Sequence, residues 1–238
     1  MYSIFYYIPV YLVLAALGMS MANKKAGTVV RKQRWLKYFS YVVITGIVIT
    51  SVFLHFFKWI SLGMVLGGLS ELLVISFANR RNLLFSLLLY GLIACGFICF
   101  SFDFRTEAVL FIYFQVFIFD AFGQITGQLF GKRSLIPKIS PAKTIEGLIG
   151  GWLFCIASAL LGAGWVRIPL AQALLLGLFT GFTSFCGDVL ASWFKRQQQI
   201  KDYSNWLPGQ GGFLDRFDSF IFTGCVYYLG DLLFENFI

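Results

Sequence analysis

Three carboxylates bordering apolar runs, and a glycine-rich turn between them, mark the end of a chain that is otherwise mostly hydrocarbon. Residues 187–219 read GDVLASWFKRQQQIKDYSNWLPGQGGFLDRFDS. Asp188 lies near the end of one apolar run, and Asp215, Arg216 and Asp218 open the next. An ionised side chain within a bilayer costs about 3 kcal/mol, so such groups are paired, bound to metal or kept for function. Asp215 and Asp218 are three apart, which on a helix puts them on one face, about 5–6 Å apart at Cβ. With Asp188 they make an oxygen-only donor set without histidine. That set suits a hard cation such as Mg²⁺, which keeps several waters and shares substrate phosphates. Gly209, Gly211 and Gly212 permit positive φ and a close backbone approach to a ligand. An internal ion-pair network with Arg216 and Lys201 is the alternative use of these charges.

A second stretch, residues 120–147, reads DAFGQITGQLFGKRSLIPKISPAKTIEG. Ser140 followed by Pro141 predicts a helix start, serine as N-cap and proline at the first helical position. Lys143 and Thr144 would then occupy the first turn, where free amides and the helix dipole attract an anion such as phosphate. Asp120 and Glu71 fall inside apolar runs, so each is expected to face the protein interior and meet a cation. Asp120 leads into this stretch and is the better functional candidate of the two. Asp231 and Glu235 are placed at the far interface, without a role.

The elements that must position these groups are membrane spans. The chain of 238 residues is 58% hydrophobic, 19% aromatic and 13% charged, a balance suited to lipid rather than water. Apolar runs near 3–22, 38–57, 59–78, 83–102, 107–131, 145–165, 170–193 and 217–236 are each long enough to cross about 30 Å of hydrocarbon. None alternates as a barrel strand would. The expected fold is all-α, a polytopic integral membrane protein of about eight transmembrane helices, with the site in the C-terminal helices. Residues 1–106 are taken as plainer N-terminal spans and 107–238 as the catalytic part with its loops. Of the 19 Lys and Arg, sixteen fall on one side of these spans and only Lys58, Arg105 and Arg167 on the other. The positive-inside rule then puts both termini outside and the charged loops in the cytoplasm. The first run, whose positive charges follow it, reads as a retained span rather than a cleaved leader. Glycines four apart (Gly123, Gly127, Gly131; Gly147, Gly151; Gly177, Gly181) predict close helix packing and permit a homodimer. The net charge of +8 is broken up by apolar spans, which favours lipid and nucleotide phosphates over nucleic acid. All five Cys lie in apolar runs without a CxxC pair, and the single histidine, His55, ends a span. A His/Cys zinc centre is therefore not expected.

Both charged stretches resemble the CDP-diacylglycerol synthase family, the membrane-embedded phosphatidate cytidylyltransferases. The family pattern GxLFGKxxLxPxISPxKTxEG is met from Gly127 to Gly147, and GDxxxSxxKRxxxxKDxxxxxPGHGGxxDRxDS from Gly187 to Ser219. One position departs: Gln210 stands where the pattern has histidine. Glutamine can hydrogen-bond a phosphate but cannot carry charge or take a proton. The resemblance implies transfer of CMP from CTP to phosphatidic acid, releasing pyrophosphate in phospholipid biosynthesis. It implies Mg²⁺ on Asp188, Asp215 and Asp218, with K⁺ as a second cation. Lys143, Lys201 and Arg216 would meet phosphates, Ser140 and Thr144 would donate hydrogen bonds, and Gln210, Gly211 and Gly212 would line the substrate. In a bacterium the place of action would be the inner membrane. A CTP-dependent kinase of a lipid alcohol such as polyprenol, and a non-catalytic lipid-binding paralogue, are the competing readings.

Overall fold

The computed structural model describes residues 3–24, 26–78, 83–207 and 211–234. Eight helices and one hairpin make up the described chain: α1 (Ser3–Asn23), α2 (Thr28–Phe53), α3 (Phe57–Ala78), α4 (Leu83–Asp103), α5 (Thr106–Phe130), β1 (Ser134–Ile136), β2 (Ser140–Thr144), α6 (Ile145–Val166), α7 (Leu170–Gln197) and α8 (Leu214–Phe234). Each expected span has its helix, and α2 to α7 are long and apolar enough to cross a membrane. The protein is thus an all-α polytopic membrane protein. The apolar stretch Tyr7–Asn23 and α8 fall outside that set of six, α8 because Asp215, Arg216, Asp218 and Asp231 interrupt it.

Two boundaries differ from the sequence expectation for one reason. Helix α2 begins at Thr28, so Arg31, Lys32, Arg34 and Lys37 lie on helix rather than in a loop. Helix α7 likewise runs on to Gln197 and carries Lys195 and Arg196. Lys, Arg and Gln are good helix formers, and nothing stops a helix where its hydrophobicity ends. Arg34 donates to Ala22 O at 2.9 Å and Asn23 Oδ1 at 3.3 Å, placing a cation on the last carbonyls of α1.

Packing divides the chain into two interleaved units, 1–42 with 111–182 and 43–110 with 183–238. The sequence expectation had drawn a single boundary after 106. In the first unit the glycine series do what their spacing suggests. A Cβ on Gly147 would lie 2.8 Å from Gly123 O, and one on Gly177 would lie 3.0 Å from Ile156 Cα. Helices α5, α6 and α7 therefore meet backbone to backbone. These faces are used within the unit. Tyr7 anchors α1 by donating to Ser158 O at 2.6 Å, and Phe122 stacks on Phe154 with ring centres 4.0 Å apart.

In the second unit α3, α4 and α8 share an aromatic core. Phe97 meets Phe220 edge-on at 5.1 Å, and Tyr90 donates to Val65 O at 2.8 Å. Gly187 on α7 admits α8, since a Cβ there would lie 2.8 Å from Phe222 Cβ and 3.1 Å from Ser219 Cα. Large side chains turned outward, such as Leu88, Leu92, Leu232 and Leu233, present the apolar surface that hydrocarbon solvates.

Gly147→Leu is expected to force α5 and α6 apart at a cost of about 1–3 kcal/mol or more. Gly164→Leu, at a position with open space around it, serves as the control. Thermal unfolding in detergent should show a clear drop for the first and none for the second.

Candidate active site

The crossing of α7 and α8 at Gly187 sets the first part of the site. The next residue, Asp188, lies in electrostatic reach of Asp218, as do Lys195 and Arg216. Ser192, one turn along α7, donates to Asp188 Oδ1 at 3.4 Å. Asp218 Oδ1 accepts the backbone N–H of Ser219 at 2.7 Å. Asp188 and Asp218 thus bring like charge within electrostatic reach of one another across the α7–α8 contact, with two cations near Asp218. That donor set fits a hard cation, which would relieve the repulsion between them.

Asp215, only 8% exposed, is used differently. Its Oδ1 accepts from Lys195 Nζ at 2.5 Å, and both partners are buried. Its Oδ2 accepts the N–H of Tyr203 and that of Gly212, each at 2.8 Å. The glycine turn is shaped for this. Gly211 has φ 87°, and a Cβ there would lie 2.9 Å from Asp215 Oδ2. Tyr203 closes the wall, stacked on Phe194 with ring centres 6.1 Å apart and with Lys195 Nζ 5.2 Å above its ring. Burial first, then the charges of Asp218, Asp215 and Glu71, push its phenol well above the ordinary range. Tyr203 therefore stays neutral and walls the site.

Glu71 corrects an expectation. It is 2% exposed in α3, and among the described residues its partners are a hydroxyl and two amides rather than a cation. Ser204 Oγ donates to it at 2.5 Å, Phe213 N–H at 2.7 Å and Leu214 N–H at 2.8 Å. The unpaired amides at the start of α8 carry partial positive charge and take the place of the cation.

The structure brings Asp188, Asp215, Asp218, Gly211 and Gly212 into one neighbourhood. Among the described residues, however, no three His, Cys, Asp or Glu side chains are grouped to hold a metal. Asp215 is turned to Lys195 and the glycine turn, so the pair left in electrostatic reach of each other is Asp188 and Asp218. The ion-pair alternative named Arg216 and Lys201, but the cation on Asp215 is Lys195. Lys201 is exposed on the turn after α7, and Arg216 is half-buried in the first turn of α8. Gln210 lies outside the described residues. Ser140, Lys143 and Thr144 belong to the other unit, and their local structure also departs from expectation. Ser140 and Pro141 form β2, paired antiparallel to β1, and Thr144 is the N-cap of α6, its oxygen accepting Gly147 N–H at 3.1 Å. Lys143 therefore precedes the helix rather than standing in its first turn. Proline is tolerated on such an edge strand, while Thr144 places a better-spaced acceptor at the helix start. Glu146 ties the hairpin to α6 by accepting the N–H of Lys132 at 3.0 Å. Asp120 is half-buried in α5, in the same unit.

Sequence reasoning missed Lys195, Tyr203 and Ser204 as parts of this network. The signal for Lys195 was its distance from the end of the apolar run, since α7 continues and carries it inward. A cavity of about 610 Å³, open mouth included, adjoins the site between α4, α7 and α8. Its walls are mainly apolar, with Asp218, Ser86, Tyr90 and Tyr203 as the polar exceptions.

Removing one partner of the buried Lys195–Asp215 pair should cost about 3–5 kcal/mol, because the other is left charged and alone. Lys195→Met and Asp215→Asn should each lower thermal stability in detergent, and the double variant should lose less than their sum. Strict additivity would show the two side chains to be uncoupled.

The comparisons with known proteins bear on the whole chain. The Cytidylyltransferase family profile matches residues 1–233. A protein of Escherichia coli K12 named "Uncharacterized protein YnbB" is 48% identical over 103 residues, 43% of this chain and 35% of that one. The phosphatidate cytidylyltransferase of Aquifex aeolicus is 41% identical over 127 residues, 53% of this chain and 48% of its own. That of Bacillus subtilis is 42% identical over 106 residues, 44% and 39% respectively. The chain spans between about a third and a half of the length of these relatives. With a profile matched over nearly its full length, and with the acidic site on α7 and α8, the chain belongs to the cytidylyltransferase family.

Proposed function

We propose that the protein is a phosphatidate cytidylyltransferase acting in its membrane. A phosphate oxygen of phosphatidic acid would form a bond to the α-phosphorus of CTP. The bond from that phosphorus to the β-bridging oxygen would break, giving CDP-diacylglycerol and pyrophosphate. The observation that carries this reading is that Asp188 and Asp218 lie in electrostatic reach of each other, with Lys195 and Arg216 also in reach of Asp218, in a chain of this family.

Both substrates are polyanions, so the gain in rate comes from neutralising charge and from alignment. A phosphate monoester is already ionised near neutral pH, so no strong base is needed. Gln210, which cannot take a proton, is compatible with that requirement. Asp188 and Asp218 would hold Mg²⁺, with K⁺ as a second cation, and Asp215 would join them on releasing Lys195. Bound there, the ion would offset phosphate charge and polarise the α-phosphoryl group. Arg216 and Lys201 are assigned to nucleotide phosphates. The phosphate roles of Ser140, Lys143 and Thr144 rest on their motif alone. The apolar cavity beside Asp218 would take the lipid's glycerol and chain ends, entering sideways from the inner leaflet. The basic loops are placed in the cytoplasm and both termini outside. A C-terminal reporter that works only outside checks that placement.

Label position in the lipid separates the chemistries. With α-labelled CTP the lipid fraction should acquire label, whereas label from γ-labelled CTP alone would reveal a lipid-alcohol kinase. No label from either would leave a binding protein. Asp188→Asn and Asp218→Asn should each reduce transfer about 100-fold or more, and chelation should abolish it. Gln210→His should retain or raise activity. Its loss in a folded protein would mean that the pocket serves another acceptor.

A further inference from the structure

Three successive amides at the start of α8 are shared between two buried carboxylates from different helices. Gly212 N–H goes to Asp215, while Phe213 and Leu214 N–H go to Glu71. Glu71 also accepts from Ser204 Oγ, which in turn accepts Trp206 N–H at 3.2 Å. The face of α3 that carries Glu71 is cut away for this. Cβ atoms on Gly67 and Gly68, one turn earlier, would lie 2.9 Å from the Phe213 ring and 3.0 Å from Leu214 Cδ1. A Cβ on Gly212 would lie 2.8 Å from both Glu71 oxygens. The acid therefore grips the turn and the first residues of α8 together.

Burying a carboxylate in α3 costs energy that a simple apolar contact would avoid. What the carboxylate adds is direction. Three charge-assisted bonds fix both the height and the rotation of the α8 start. Asp215 and Asp218 are one and four residues beyond Leu214, so their placement follows from that grip. A misplacement of about 1 Å at a reacting centre can cost roughly 100-fold in rate.

We infer that Glu71 is a positioning residue for the transfer site. It acts through the residues it holds, clamping Ser204, Phe213 and Leu214 so that Asp218 is presented beside Asp188. The inference rests on the transferase reading for its kinetic consequences, but the clamp itself can be measured without turnover. Glu71→Gln keeps the size and one acceptor oxygen while replacing the other with a donor that opposes the amides. Ser204→Ala removes one bond and is the milder variant.

The experiment combines two measurements on the full chain in detergent. Hydrogen exchange at Phe213 and Leu214 should speed up about tenfold or more in Glu71→Gln and less in Ser204→Ala. Added Mg²⁺ alone should slow exchange over residues 212–218 in the wild type and fail to do so in Glu71→Gln. In the transfer assay the Mg²⁺ concentration for half-maximal rate should rise and kcat should fall, each about 10–100-fold, with the KM for CTP nearly unchanged. Glu71→Asp, charged but one methylene short, should recover part of both. Unchanged exchange in Glu71→Gln would overturn the clamp. A loss of activity matched only by loss of folded protein, with the Mg²⁺ dependence unmoved, would reduce Glu71 to a stability role and overturn the inference. If the wild type transfers no label to lipid, the transferase reading fails, and the exchange arm still decides whether Glu71 orders the α8 start for a cation.

Discussion

A helix whose first residues are buried must find acceptors for its first amides, and the second unit is arranged around that need at α8. A buried N–H left unsatisfied costs as much as a lost hydrogen bond. Glu71 and Asp215 supply the acceptors, and the amides in return supply the partial positive charge that two buried acids require. Each side of this exchange would be costly without the other. The glycines of the turn and of α3 follow as a consequence, because side chains there would occupy the space of the carboxylates. Tyr203 and Ser204 follow too, as the residues that close the turn over the same oxygens.

Two classes of acid result. Glu71 and Asp215 are engaged in holding the chain together. Asp188 and Asp218 lie in electrostatic reach of one another across α7 and α8, with charge that the helix start does not absorb. In a low dielectric, like charges at close range favour any cation that can bridge them. The chemistry and the architecture are thus separated by about one helical turn of α8. The residues that fix α8 lie at its start, and the pair suited to an ion lies just beyond.

Much of this was legible in the residues. Apolar run lengths foretold the helices, and the glycine spacing foretold the close meeting of α5, α6 and α7, because both depend on local periodicity. The shared neighbourhood of Asp188, Asp215 and Asp218 was legible, since charge in an apolar run is scarce. What could not be read was which acid would meet which partner. Glu71 and Leu214 are far apart in sequence, and only the tertiary approach of α3 to α8 joins them. Thr144 displaced Ser140 as the N-cap because the hairpin claims Ser140 and Pro141, a pairing that local propensity does not reveal. Lys195 was hidden by the assumption that a helix ends with its hydrophobicity.

The choice of partners also bears on how such a site could tolerate its substrates. Nucleotide and lipid phosphates compete strongly for lysine and arginine, so an acid positioned only by ion pairs would be released when substrates arrive. Backbone amides belong to the chain and cannot be drawn away. Glu71 is held by two amides and a hydroxyl, partners that phosphates would not draw away as they would a lysine or arginine. Asp215 is held by two amides on one oxygen and by Lys195 on the other. The amides can retain its position while the ammonium is exchanged for another cation. A site built in this way separates what must stay fixed from what must respond, and the dividing line runs between the two oxygens of Asp215.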